Sequence, residues 1–247
     1  MKNLLIKLKK IMPKYIQPKF YNDKELLIWN QEQGKKYSKS IIQKNKAMKI
    51  QKILGRSGIK ELYINCSFKN YYIQHEGHKK VLYAANKYAK NFQNSIANFI
   101  FSGRPGTGKN HLAAAIGNYL ISNGNSVLII SIADLMSNLK GTFNKSFNKD
   151  EMTEKKLLHN LCILDLLIID EIGMQTESRY EKIIINQIID RRSSSKKSTG
   201  MLSNLDYKRM NNLLGERVMD RMRLGNSLWL TFEWNSYRKN INENKKY

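Results

Sequence analysis

A chain of 247 residues with 43 Lys and Arg against 20 Asp and Glu, net +23, points to an acidic partner such as nucleic acid, although its wealth of Lys, Asn and Ile also fits a base-composition bias. Its 41% hydrophobic and 10% aromatic content excludes a disordered chain, and no apolar run reaches the ~18–20 residues of a membrane span. Two cysteines, Cys66 and Cys162, make no disulfide framework and lysines break up the first ten residues, so secretion is excluded and the cytoplasm is the expected location.

Charge is uneven along the chain. Residues 1–60 hold 16 Lys and Arg and only 3 Asp and Glu, which marks a separate module. Leu4, Leu5, Leu8, Ile11 and Met12 share one helical face, and Pro13 and Pro18 bracket a break. Asn22 and Glu25 form a capping box for a helix through Leu26, Leu27 and Trp29, which Gly34 ends or interrupts. A second lysine-rich helix through Ile41, Ile42, Met48 and Ile53 ends near Gly55 and Gly58. These stripes are narrow, and so short a module is marginal alone. It is either a self-contained hairpin with a solvated basic face or a set of amphipathic helices that dock on another protein; docking is the favoured reading.

From about residue 61 to 247, strand-length apolar runs alternate with helical stretches. Strands are expected at 98–102, 126–131, 165–170, 200–203 and 227–232, with helices at 109–122, 132–140, 152–162, 179–192 and 206–222. Continuous apolar strands separated by helices predict an α/β fold with a central parallel β-sheet covered by helices on both faces.

The first strand runs into Gly103, Arg104, Pro105, Gly106, Thr107, Gly108, Lys109 and Asn110, and a helix follows. Strand, glycine loop, lysine and helix together predict a phosphate-binding loop. The glycines let backbone amides approach phosphate oxygens, the helix N-terminus adds its dipole, and Lys109 brings charge to the β- and γ-phosphates. The position after the lysine, normally a Mg²⁺-ligating hydroxyl, is Asn110. An amide oxygen also ligates Mg²⁺, directly or through water, but slow hydrolysis is expected. The third strand ends in Asp170 and Glu171, as a Walker B segment does. Asp170 is expected to hold Mg²⁺ and Glu171 to orient the attacking water. Asp165, at the other end of that strand, has no expected role. Cys66, His75 and His78 lack a fourth ligand, so zinc is not expected.

These motifs recur, together with Leu202-Ser-Asn204 and Leu214-Gly-Glu-Arg-Val-Met-Asp-Arg221, in AAA+ ATPases of the bacterial helicase-loader group. Met12-Pro13, Arg56-Ser-Gly58, Asn65-Cys-Ser-Phe68, Glu177-Ser178, Tyr180 and Gly225-Asn-Ser-Leu-Trp229 extend the resemblance to the DnaC family over the whole chain. The resemblance implies an AAA+ domain over 61–247 and a helicase-binding domain over 1–60, with Lys7, Leu8 and Trp29 as contacts. It implies ATP and Mg²⁺ as cofactors, and a DnaB-type replicative helicase, single-stranded DNA and further copies of the chain as partners. It makes Asn204 a sensor for the γ-phosphate and Arg221, with Arg217 as second candidate, a finger into a neighbouring subunit's site. Either arginine could instead pair with Glu216 or Asp220. Arg238 is a candidate second sensor. Lys140, Phe143, Ser178 and Tyr180 are implied DNA contacts, though an exposed Tyr or Phe can equally be packing. The competing readings are a transposition helper ATPase, a replication initiator, for which the segment after the last strand is short, and a nucleotide-switched adaptor without hydrolysis.

Overall fold

A computed structural model describes residues 23–53, 63–92, 96–141, 153–174 and 179–237. Among the described residues two helices come first, α1 (Asp23–Ile53) and α2 (Glu76–Lys90). The alternating part then runs β1 (Phe99–Gly103), α3 (Lys109–Ser122), β2 (Val127–Ser131), α4 (Ile132–Gly141), α5 (Glu154–Cys162), β3 (Leu166–Ile172), α6 (Arg179–Ser194), β4 (Ser198–Ser203), α7 (Tyr207–Leu214), α8 (Glu216–Met222) and β5 (Leu228–Phe232). The strands form one parallel sheet in the order β2-β3-β4-β1-β5.

The pleat explains why the strands read as unbroken apolar runs. Phe99 and Phe101 face α2 and α3, together with Leu166 and Ile168. Ile100, Leu167 and Ile169 face the opposite way, into a second core built by α4 to α8. Both sheet faces are thus covered, which removes the apolar–polar alternation of a half-exposed sheet. All five strands point the same way, so Gly103, Ser131, Asp170 and Asn204 come to the one edge where ligands bind in open α/β folds.

One expectation is corrected. Gly34 neither ends nor interrupts a helix; α1 runs unbroken from Asp23 to Ile53. A mid-helix glycine costs only about 1 kcal/mol, which a helix of this length absorbs. Leu27, Ile28, Tyr37, Ile41 and Ile42 are all exposed on it and fall on one side at 100° per residue. The helices expected over 206–222 are α7 and α8, parted by Gly215 at φ +87°. No described helix is long and apolar enough to cross a membrane.

A buried arginine, unremarked in the sequence, ties the lower end of the sheet together. Arg192 is fully buried. It donates to the carbonyls of Leu161 at 2.6 Å, Leu164 at 3.1 Å and Ser198, and to Thr199 Oγ1 at 3.0 Å. Burial pulls its pKa down to about 10, still charged at neutral pH. Nearby, Asp165 accepts from Lys197 Nζ at 2.7 Å and from the Ser126 amide at 2.9 Å. Burial opposes the Asp165 charge, but these partners outweigh it and hold the carboxyl below its ordinary range.

Candidate nucleotide-binding site

The loop between β1 and α3 has the conformation the glycines allow. Gly103, Gly106 and Gly108 sit at φ +128°, +74° and +94°. A Cβ at Gly103 would meet the Phe232 carbonyl at 2.1 Å, and one at Gly108 would meet the Tyr71 ring at 2.8 Å. The loop is braced from outside. Arg104 N donates to Phe232 O at 3.0 Å and Tyr237 N to Gly106 O at 2.9 Å. Trp234 Nε1 donates to Thr107 O at 3.0 Å, and Thr107 Oγ1 to Arg104 O at 2.7 Å.

Lys109 points back into this loop. Its Nζ donates to Gly103 O at 2.6 Å, Arg104 O at 2.7 Å and Asn204 Oδ1 at 3.0 Å. Burial lowers its pKa to about 8, with Asp170 acting in the opposite direction. Asn110 Nδ2 donates to Asp170 Oδ2 at 2.5 Å. A carboxylate only accepts, so the amide nitrogen faces Asp170 and the amide oxygen faces away. Asp170 Oδ1 accepts from the Glu171 amide at 2.7 Å. At this point β3 bulges between Ile169 and Ile172, and Glu171 takes φ +62°. The left-handed turn costs a non-glycine residue about 1 kcal/mol and re-aims its exposed carboxylate out of strand alternation.

Lys109, Asn110, Asp170, Glu171 and Asn204 are thereby brought together. The Asp170 and Glu171 carboxylates fit Mg²⁺ as hard oxygen ligands beside a phosphate loop, and the Asn110 amide adds a third only when it turns its oxygen toward Asp170. The residue set read from the sequence lacks the other wall of the site. A cavity of about 340 Å³ beside the loop is lined by Tyr63, Tyr71, Tyr72, His78, His111 and Tyr237, among others. Tyr72 and Tyr237 meet there as tilted rings with centres 5.3 Å apart. The density of tyrosines at 63–72 and the aromatics after β5 were the only available signals. Cys66 contacts His111 at 3.5 Å, whereas the rings of His75 and His78 meet each other and Trp234 in tilted or edge-on contacts.

Other expected residues stand apart. Arg221 lies on α8, where its backbone oxygen accepts from Asn98 at the start of β1, the end away from the loop. Its side chain, like that of Arg217, pairs with Asp190 of α6, not with Glu216 or Asp220. Lys140 is exposed in the last turn of α4. The Tyr180 ring packs against the second core and its hydroxyl donates to Glu154 at 3.4 Å. Trp29 is half-buried on α1. Lys7, Leu8, Phe143, Ser178 and Arg238 lie outside the described residues.

The fold and this site define a P-loop ATP-binding protein of the AAA+ class. A family model described as IstB-like ATP binding protein matches residues 53–244. The chain is 70% identical over 241 residues to the replicative helicase loader DnaC of Buchnera aphidicola subsp. Baizongia pistaciae, covering 98% of this chain and 97% of that protein. It is 55% identical over 239 residues to the replicative helicase loader DnaC of Escherichia coli K12, covering 97% and 96%. A crystal structure of the DnaC helicase loader superposes with TM-score 0.59 at 22% identity, over 70% of this chain and 99% of that one, which shows the shared fold. The chain belongs to the IstB-like ATP-binding family and, within it, to the replicative helicase loaders of the DnaC type.

Proposed function

We propose that the chain loads a DnaB-type replicative helicase onto single-stranded DNA, with slow ATP hydrolysis acting as a release switch. The observation that carries this reading is the convergence of Lys109, Asp170, Glu171 and Asn204 on one sheet edge in a chain of the loader family. ATP lies along the loop with its base toward the Tyr71 and Tyr237 side. Lys109 leaves its carbonyl partners for the phosphates. Asp170, with Asn110 once its amide oxygen has turned inward, would hold Mg²⁺, which would shield phosphate charge. Glu171 orients the attacking water, and Asn204 marks the γ-phosphate. Arg221 of a neighbouring copy completes the site, so turnover requires assembly. The switch is a shift of population between an ATP-bound assembly and a released state.

The helicase is gripped by residues 1–60, through Leu8, Trp29 and the exposed apolar side of α1, with Lys7 beside them. Single-stranded DNA runs past Lys140, Phe143, Ser178 and Tyr180. Two measurements test this in the full-length chain. Leu8→Glu with Trp29→Ala abolishes co-purification with the helicase while ATP binding stays; equal capture contradicts the docking surface. Phe143→Ala with Tyr180→Ala weakens single-strand binding without touching ATP affinity.

The hydrogen bond from Asn110 to Asp170 favours a second reading, an adaptor that binds ATP without hydrolysing it. ATPase assays with helicase and single-stranded DNA decide: the loader reading requires turnover that Glu171→Gln removes.

A further inference from the structure

Arg217 and Arg221 stand one helical turn apart on α8 and both reach the same carboxylate, Asp190 of α6. They reach it differently. Arg217 donates through a terminal nitrogen, Nη2, to Oδ2 at 2.6 Å and is 69% exposed. Arg221 meets Oδ1 through Nε at 2.5 Å and is only 26% exposed. The two meeting atoms, Arg221 Nε and Asp190 Oδ1, are shielded from water and make no hydrogen bond, so an ion pair with reduced screening is what joins them. Among the described residues the two terminal nitrogens of Arg221 donate no hydrogen bond. The ion pair draws the Nε side of the guanidinium onto Asp190, so the nearest approach to that carboxylate is not made by the forked end. That fork is the part that pairs with two phosphate oxygens.

The backbone beneath Arg221 is held as firmly as its side chain. Asn98 Nδ2 donates to Arg221 O at 3.0 Å, and Asn98 Oδ1 accepts from Thr199 N at 2.8 Å. These contacts tie the end of α8 to the start of β1 and β4. The phosphate loop begins at the other end of β1, roughly 16 Å along a five-residue strand. Arg221 therefore faces away from the nucleotide site of its own subunit.

We propose that Asp190 is a positioning residue: it holds Arg221 by an ion pair at its Nε side and leaves the fork to enter the nucleotide site of a second copy of this chain. Arg217 anchors Asp190 from the other side and does not enter the site. Ordering the guanidinium before assembly removes an entropy cost that a free arginine would meet at the moment of reaction. The proposal rests on the reading that assembled copies hydrolyse ATP.

The test uses full-length chain assembled on the helicase with single-stranded DNA. Asp190→Asn keeps the size and removes the charge. ATP affinity stays within twofold, kcat falls at least tenfold, and Asp190→Glu recovers part of it. Asp190→Asn is then mixed in equal amounts with Lys109→Ala, which binds no nucleotide productively but carries an intact Asp190 and Arg221. The mixture recovers about a quarter of wild-type turnover, since half of its sites are competent and half of those face an intact neighbour. Three results overturn the proposal: kcat within twofold of wild type, no recovery in the mixture, or loss of ATP binding by Asp190→Asn. A fall in kcat on Arg217→Ala with none on Arg221→Ala overturns the assignment of the fork. A wild-type assembly that turns over no ATP removes the hydrolysis reading itself, and is seen before any variant is made.

Discussion

The ammonium of Lys109 lies 3.0 Å from Oδ1 of Asn204, so the phosphate loop and the end of β4 already share a hydrogen bond. Phosphate arriving at the loop replaces the carbonyl partners of Lys109 while Asn204 stays beside it. Asn204→Ala should keep ATP affinity within about threefold and lower turnover at least tenfold. Affinity by nucleotide titration and turnover by phosphate release check the two halves separately.

Burial lowers the Lys109 pKa to about 8, and bound phosphate raises it by supplying negative charge. The nucleotide thus binds the protonated lysine. Affinity is flat below the pKa of the free site and falls as pH rises through it, by up to tenfold per pH unit until the higher pKa of the bound state is reached. ATP titrations from pH 7 to 9.5 should show this decline, and Lys109→Ala should remove it along with most of the affinity.

Gly108 needs both its φ of +94° and its lack of a side chain, because a Cβ there meets the Tyr71 ring at 2.8 Å. Gly108→Ala should lose ATP binding by more than tenfold and, through the clash and the backbone strain, lower the thermal midpoint by roughly 2–8 °C. Tyr237→Ala should act differently. It lines the cavity proposed to take the base, so ATP and ADP should weaken together by a similar factor.

Much of this site was legible because its signals are local. The loop, its lysine and the following helix are contiguous, and Asp170 and Glu171 end an apolar strand whose direction fixes their edge. What was not legible is long-range. Trp234 and Tyr237 brace loop residues far earlier in the chain, and only folding brings them together. The arginines of α8 have charged neighbours at Glu216 and Asp220, which sequence proximity favours. Their actual partner, Asp190, sits on another helix. Gly34 misled for the opposite reason: its local penalty is real but small against a helix of 31 residues.

Arg192 offers a stability test away from the site. Arg192→Met removes a charge of the right length but leaves the carbonyls of Leu161, Leu164 and Ser198 without their donor in the core. We expect a loss of about 3 kcal/mol, with the thermal midpoint down by roughly 6–12 °C. Calorimetry of the ligand-free chain measures it, and a change below about 1 kcal/mol would show that water replaces the arginine.

The loader assignment predicts an outcome that no nucleotide assay reaches. Purified DnaB-type helicase, circular single-stranded DNA and ATP are incubated with and without the full-length chain, and helicase retained on the circles is measured after the loader has dissociated. The account predicts at least a tenfold gain in retained helicase with the wild-type chain, and helicase trapped in complex with the loader for Glu171→Gln. Equal retention with and without the chain would contradict it.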